Sequence, residues 1–81
     1  MDPAEIKRRL LAEFPDARCE LIDLTGTSDH YELHIASDVF RGLSPIRQHR
    51  LVYQAIGQDV GTAIHALALK TYLPEAWTRS T

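Results

Sequence analysis

Ile6, Leu10 and Phe14 recur every fourth residue while Lys7, Arg8 and Glu13 fall between them, so the first apolar pattern has the period of an α-helix. Asp2 is placed to cap its free amides, and Pro3 loses nothing at the first helical position. Glu5 stands where a capping box would use it. Pro15 forces the preceding residue out of helical geometry, so the helix is predicted over Pro3 to Phe14.

The period then changes. "ARCELIDL" (Ala17 to Leu24) and "HYELHIAS" (His30 to Ser37) read as two strands joined by "TGTSD" (Thr25 to Asp29), a turn in which Gly26 is free to take positive φ. In the second strand Tyr31, Leu33 and Ile35 share one face, and His30, Glu32 and His34 share the other, a half-buried pattern with one polar side. The first strand alternates less cleanly, and its buried face stays open.

"SDVFRGLSP" (Ser37 to Pro45) is a connector. Ser44 caps a second helix with Pro45 at its first position, and Gly57 ends it. Val52, Ala55 and Ile56, with Ile46 and Tyr53, are expected on its inner side. "QDVGTAI" (Gln58 to Ile64) is expected to form one or two helical turns. A last strand begins at His65 or Ala66 and runs to about Leu73, and "PEAW" (Pro74 to Trp77) is a terminal turn that lays Trp77 on the core edge.

The predicted order is α-β-β-α-α(short)-β in one domain spanning residues 1–81. The first two strands must be antiparallel, because their turn is short. The third arrives over helices and is expected to run parallel to one of them. The result is an α+β fold, a three-stranded mixed sheet with helices on one face.

Composition changes this picture only at its margins. In 81 residues, 44% are apolar and 25% charged, ordinary values for a folded domain. The net charge of -2 has the wrong sign for a protein devoted to phosphate backbones. The single cysteine, Cys19, rules out an internal disulfide and fits a reducing compartment. No apolar stretch approaches the ~20 residues that span a bilayer. The start "MDPAEIKRRL" lacks the basic flank and apolar centre of a signal peptide, so a cytoplasmic protein without a membrane partner is expected.

Candidate chemistry is sparse. Ser28, Asp29 and His30 are adjacent in a turn, which does not make a catalytic triad, and the glycines follow no phosphate-cradling pattern. No catalytic residue is assigned, and the chain is not expected to be an enzyme. His30 and His34 on one strand stand about 13 Å apart at ~3.3 Å per residue, too far to share one ion. His34 reads as a polar residue of the open sheet face, and His49 as an interfacial helix residue. His30 and His65 differ, because a helical crossover can bring one strand start beside the loop before another. Arg47 and Arg50, three apart on a helix with Arg41 upstream, form a basic group able to touch phosphates.

The segments "QHRLVY" (Gln48 to Tyr53) and "IHALALKTY" (Ile64 to Tyr72), with "VFRGLSPIRQHR" and "GTSDHYEL" upstream, resemble the BolA family over nearly the whole chain. That family's fold is similar to a type II K-homology domain. This chain lacks the Gly-x-x-Gly loop of nucleic-acid-binding K-homology domains, since "GQDVG" has the wrong spacing.

The resemblance implies a partnership with a monothiol glutaredoxin, the two proteins sharing a [2Fe–2S] cluster in trafficking, assembly or iron sensing. The family's invariant histidine matches His65, and the histidine of its variable loop matches His30. Such a cluster needs four ligands, and two imidazoles are half a set. A partner thiolate and a glutathione thiolate would complete it, so the isolated chain is expected to carry no cofactor and to be a monomer or weak homodimer. Cys19 is expected to be an apolar filler. The resemblance also carries a rival role, a DNA-binding transcriptional regulator of the morphogene or stress type. It would use Arg41, Arg47 and Arg50, with weak DNA binding.

Overall fold

The computed structural model describes residues 2–26, 30–57 and 66–78. Helix α1 spans Pro3–Glu13, with Phe14 as its C-cap. Asp2 accepts a hydrogen bond from the Ala4 amide at 2.9 Å. The Glu5 carboxylate bonds the Arg8 and Arg9 guanidiniums. Ile6, Leu10 and Phe14 are buried, as their spacing predicts.

Strand β1 (Arg18–Asp23) pairs antiparallel with β2 (His30–Ala36), from Arg18 opposite Ala36 to Asp23 opposite Tyr31. The Asp23 carboxylate accepts from the Gly26 amide at 2.9 Å, and Gly26 sits at φ 74°, the positive value its turn requires. Strand β3 (Ala66–Tyr72) pairs with β2 in parallel, His30 opposite Ala66 and Ala36 opposite Tyr72. The sheet order β1-β2-β3 puts β2 at the centre of a three-stranded mixed sheet, the α+β architecture expected. The face of β1 left open by the sequence is settled by register: Cys19 and Leu21 oppose Ile35 and Leu33 and join the core.

Between β2 and the second helix, Ser37 caps a 3₁₀ turn (Asp38–Phe40). Fully buried Ser37 donates to Asp16 at 2.8 Å, and the Asp38 amide donates to the same carboxylate at 2.9 Å. Helix α2 spans Pro45–Ile56, and Gly57 ends it at φ 92°. Gln48 ties the helix down: its amide nitrogen donates to the Phe40 and Leu43 carbonyls, and its oxygen accepts from Thr71 on β3. Arg9 donates to the Ile56 carbonyl at 2.6 Å, placing a cation from α1 at the negative end of α2. The helical turns expected over 58–64, like His65, lie outside the described residues.

Two expectations are corrected. Ile46 and Tyr53 were expected on the inner side of α2, but they are 70% and 38% exposed. At about 100° per residue they lie on one flank, well round from the stripe that Val52 and Ile56 bury, and the opposite flank of Leu51 and Ala55 packs on the core instead. His34, expected on an open polar face, is only 4% exposed. Tyr72 lies over it from β3, and Trp77 meets Tyr72 edge-on at 5.7 Å.

Ion pairs of Glu5 with Arg8 and Arg9 and of Glu75 with Arg41, together with the Asp16 hydrogen bonds, set an acid limit. Guanidiniums lower Glu5 (Arg8, then Arg9) and Glu75 (Arg41) from 4.5 to about 2. The bonds from Asp38 and Ser37 lower Asp16 as well. Because these carboxyls are more acidic folded than unfolded, their contribution is complete above about pH 4.5 and is lost as pH falls toward about 2. The urea midpoint is therefore expected to fall steadily below pH 4.5 and less steeply in Arg41→Ala. Equal slopes in both proteins would exclude the Arg41 pairs from the acid response.

Candidate functional site

The parallel pairing of β2 and β3 decides where the candidate ligands stand. His30 is the first residue of β2, and its register partner is Ala66, the first residue of β3. Both strand starts therefore share one end of the sheet. Had β3 run antiparallel to β2, the two starts would have faced opposite ends. His65 itself lies outside the described residues, but it is the residue that precedes Ala66. The His30 carbonyl accepts from the Leu24 amide at 2.8 Å, which ties its backbone to the residue after β1. Its side chain is half-buried.

Beside this mouth the polar side of β2 carries a network that sequence reasoning missed. His34 Nε2 meets the Glu32 carboxylate at 2.6 Å, and Nδ1 meets the Tyr72 hydroxyl at 2.7 Å. A carboxylate only accepts, so Nε2 carries a hydrogen, and in the neutral ring the tyrosine hydroxyl donates to Nδ1. A neutral ring is thus fully satisfied. Both nitrogens are engaged, so His34 is a structural histidine. The sequence put Glu32 and His34 on one strand face; Tyr72 joins them only through the register, in which His34 opposes Lys70 and Tyr72 is the diagonal neighbour on the same face.

Cys19 is 8% exposed, and burial pushes its thiol up. It opposes Ile35, so it lies on the other face of the sheet and at the other end from His30. Its geometry is that of a core residue. Among the described residues no three His, Cys, Asp or Glu side chains converge on a point that could hold an ion. His30 can offer one imidazole to a metal, not a complete set.

The three candidate arginines are not equivalent. The Arg41 guanidinium bonds both Glu75 oxygens at 2.9 and 2.8 Å and Asp38 at 2.9 Å. Two carboxylates already neutralise it, so a phosphate would have to displace Glu75. Arg47 and Arg50 are exposed on α2, and neither has a carboxylate partner among the described residues. With Leu43, Leu51 and Gln54 they line an open groove of about 310 Å³. His49 is half-buried on the same helix. No described helix is long and apolar enough to cross a membrane.

Comparison with known proteins gives a consistent result. A family model described as BolA-like protein matches residues 13–76. The uncharacterized protein RP812 of Rickettsia prowazekii is 37% identical over 67 residues, covering 83% of this chain and 87% of that protein. The DNA-binding transcriptional regulator BolA of Escherichia coli is 30% identical over 79 residues, covering 89% of this chain and 75% of that protein. The solved structure of a bolA protein homologue from Coxiella burnetii superposes with a TM-score of 0.70 at 33% identity, covering 93% of this chain and 94% of that one. Several other curated relatives are longer, and the chain spans half of their length or less.

Proposed function

The chain belongs to the BolA-like family, and on that footing we propose that it shares a [2Fe–2S] cluster with a monothiol glutaredoxin and glutathione. In this reading His30 and His65 supply two imidazoles, and the partner thiolate and the glutathione thiolate supply the rest. The cluster is cargo held between two proteins, in trafficking, assembly or iron sensing. The observation that carries the reading is the pairing of His30 with Ala66, the residue after His65. It is supported by the donor chemistry: an imidazole at a strand mouth, on a backbone tied to Leu24 and in register with β3, is a ligand type that iron accepts. Neutral imidazoles bind iron and protonated ones do not, so acid competes with the partner. No turnover is proposed for the chain alone. The test is reconstitution of the cluster with a monothiol glutaredoxin and glutathione, read by visible circular dichroism. Failure of the mixture to give a spectrum distinct from that of the glutaredoxin alone would overturn the reading.

A second reading, DNA-binding regulation, is favoured by one observation: Arg47 and Arg50 are exposed cations without carboxylate partners among the described residues. Their relative in Escherichia coli bears the name of a DNA-binding regulator. With Arg41 committed to Asp38 and Glu75, two phosphate contacts remain. Duplex binding should then be weak, with a log–log salt slope of about -2. A slope of about -5 or steeper, lost in Arg47→Ala and Arg50→Ala, would place this reading first.

A further inference from the structure

We propose that the outer face of α2 is a docking groove for an acidic protein segment, one that carries an aliphatic or aromatic side chain beside aspartates or glutamates. The lining is divided by chemistry. Leu43 and Leu51 are half-buried apolar walls, and Arg47, Arg50 and Gln54 are exposed polar ones. Residues 47, 50, 51 and 54 follow the helical spacing of one face, so the arginines and Leu51 address the same ligand together.

Charge complementarity names the occupant. Arg8, Arg9 and Arg41 each bond a carboxylate within this chain, whereas Arg47 and Arg50 present guanidinium forks with no such partner among the described residues. An arginine fork matches a carboxylate in a bidentate, planar fashion. At about 310 Å³ the groove lies at the small end of ligand pockets, room for an anchoring side chain rather than a large cofactor. A polyphosphate backbone would use the two cations and leave both leucines idle, and the chain's net charge of -2 opposes a long polyanion. An acidic segment with an apolar anchor uses every wall.

The helix is also prepared for this role. Ser44 caps its first turn, and Gln48 fastens it to the Phe40 and Leu43 carbonyls and to Thr71. Leu43 is thus held against α2, and the groove does not have to be assembled when a ligand arrives. The proposal is independent of the cluster reading, because none of the residues that line the groove lies on β2 or β3.

The test uses the whole chain and a fluorescein-labelled six-residue peptide in which leucine and phenylalanine are flanked by aspartates. Three further probes are the same peptide with aspartates changed to asparagines, the same peptide with both apolar residues changed to serine, and a labelled duplex oligonucleotide. Fluorescence anisotropy should show the first peptide binding at least about tenfold more tightly than either altered peptide, the scale expected for losing one charged hydrogen bond. Arg47→Ala and Arg50→Ala, both at exposed positions, should each weaken it about tenfold or more without moving the thermal midpoint. Amide shifts in a nitrogen–proton correlation spectrum should cluster at residues 43–54. The proposal is overturned if the altered peptides bind as well as the first, if the shifts map elsewhere, or if the duplex binds and the peptide does not.

Discussion

His65→Ala is expected to abolish the visible circular-dichroism spectrum of a cluster bridged between this chain and a monothiol glutaredoxin. The strand that follows His65 is anchored, since Leu67 and Leu69 pack against the core and β3 is paired along its length to β2. Removing that imidazole deletes a proposed ligand and none of the residues that anchor β3, so far-ultraviolet dichroism should not change. His30→Ala should be milder, leaving a labile or altered spectrum. Its backbone bond to Leu24 persists, and β2 stays paired to β3. An unchanged spectrum in His65→Ala would mean that this imidazole is not a ligand.

The second large effect concerns stability. Phe40 has no exposed surface, and its ring meets Phe14 at 5.9 Å, joining the end of α1 to the turn before α2. Its carbonyl also accepts from Gln48. Phe40→Ala removes the ring and leaves a cavity between elements that are already tied, so collapse cannot fill it. The expected cost is about 3–5 kcal/mol. A domain of this size has about 4–12 kcal/mol in total. The urea midpoint should therefore drop by roughly half, a fraction that follows from those two ranges. A loss below about 1 kcal/mol would show that the neighbours repack.

What could be read from the sequence was what local geometry decides. The period of Ile6, Leu10 and Phe14, the caps at Asp2 and Ser44, the positive φ of Gly26 and the helix end at Gly57 all involve residues within a turn or two of each other. The alternation of β2 correctly placed Tyr31, Leu33 and Ile35 inside. It could not say what would cover the other side. Tyr72 reaches His34 across 38 positions of sequence, and Arg41 reaches Glu75 across 34. Neither contact leaves a local trace. Ile46 and Tyr53 misled for a related reason: apolarity suggested burial, but among the described residues the core is packed by the Val52 and Ile56 stripe and the flank of Leu51 and Ala55. For the candidate site, residue types drew attention to His30, while the parallel register that gives it Ala66 as neighbour is a property of the finished sheet.

That register also orders events in time. β1 and β2 are joined by a short turn, so their hairpin closes a small loop, whereas β2 and β3 meet only after the chain has passed through all of α2. Each doubling of loop length adds about 0.6 kcal/mol to closure. The hairpin can thus form early, presenting His30 alone, and the mouth of the sheet is completed only when β3 docks. On a ribosome, a chain that has not yet released Tyr72 has the imidazole of β2 but not its neighbouring strand. On the proposed reading, the capacity to bridge iron should therefore appear as a single late step in refolding, simultaneous with protection of the β3 amides from hydrogen exchange.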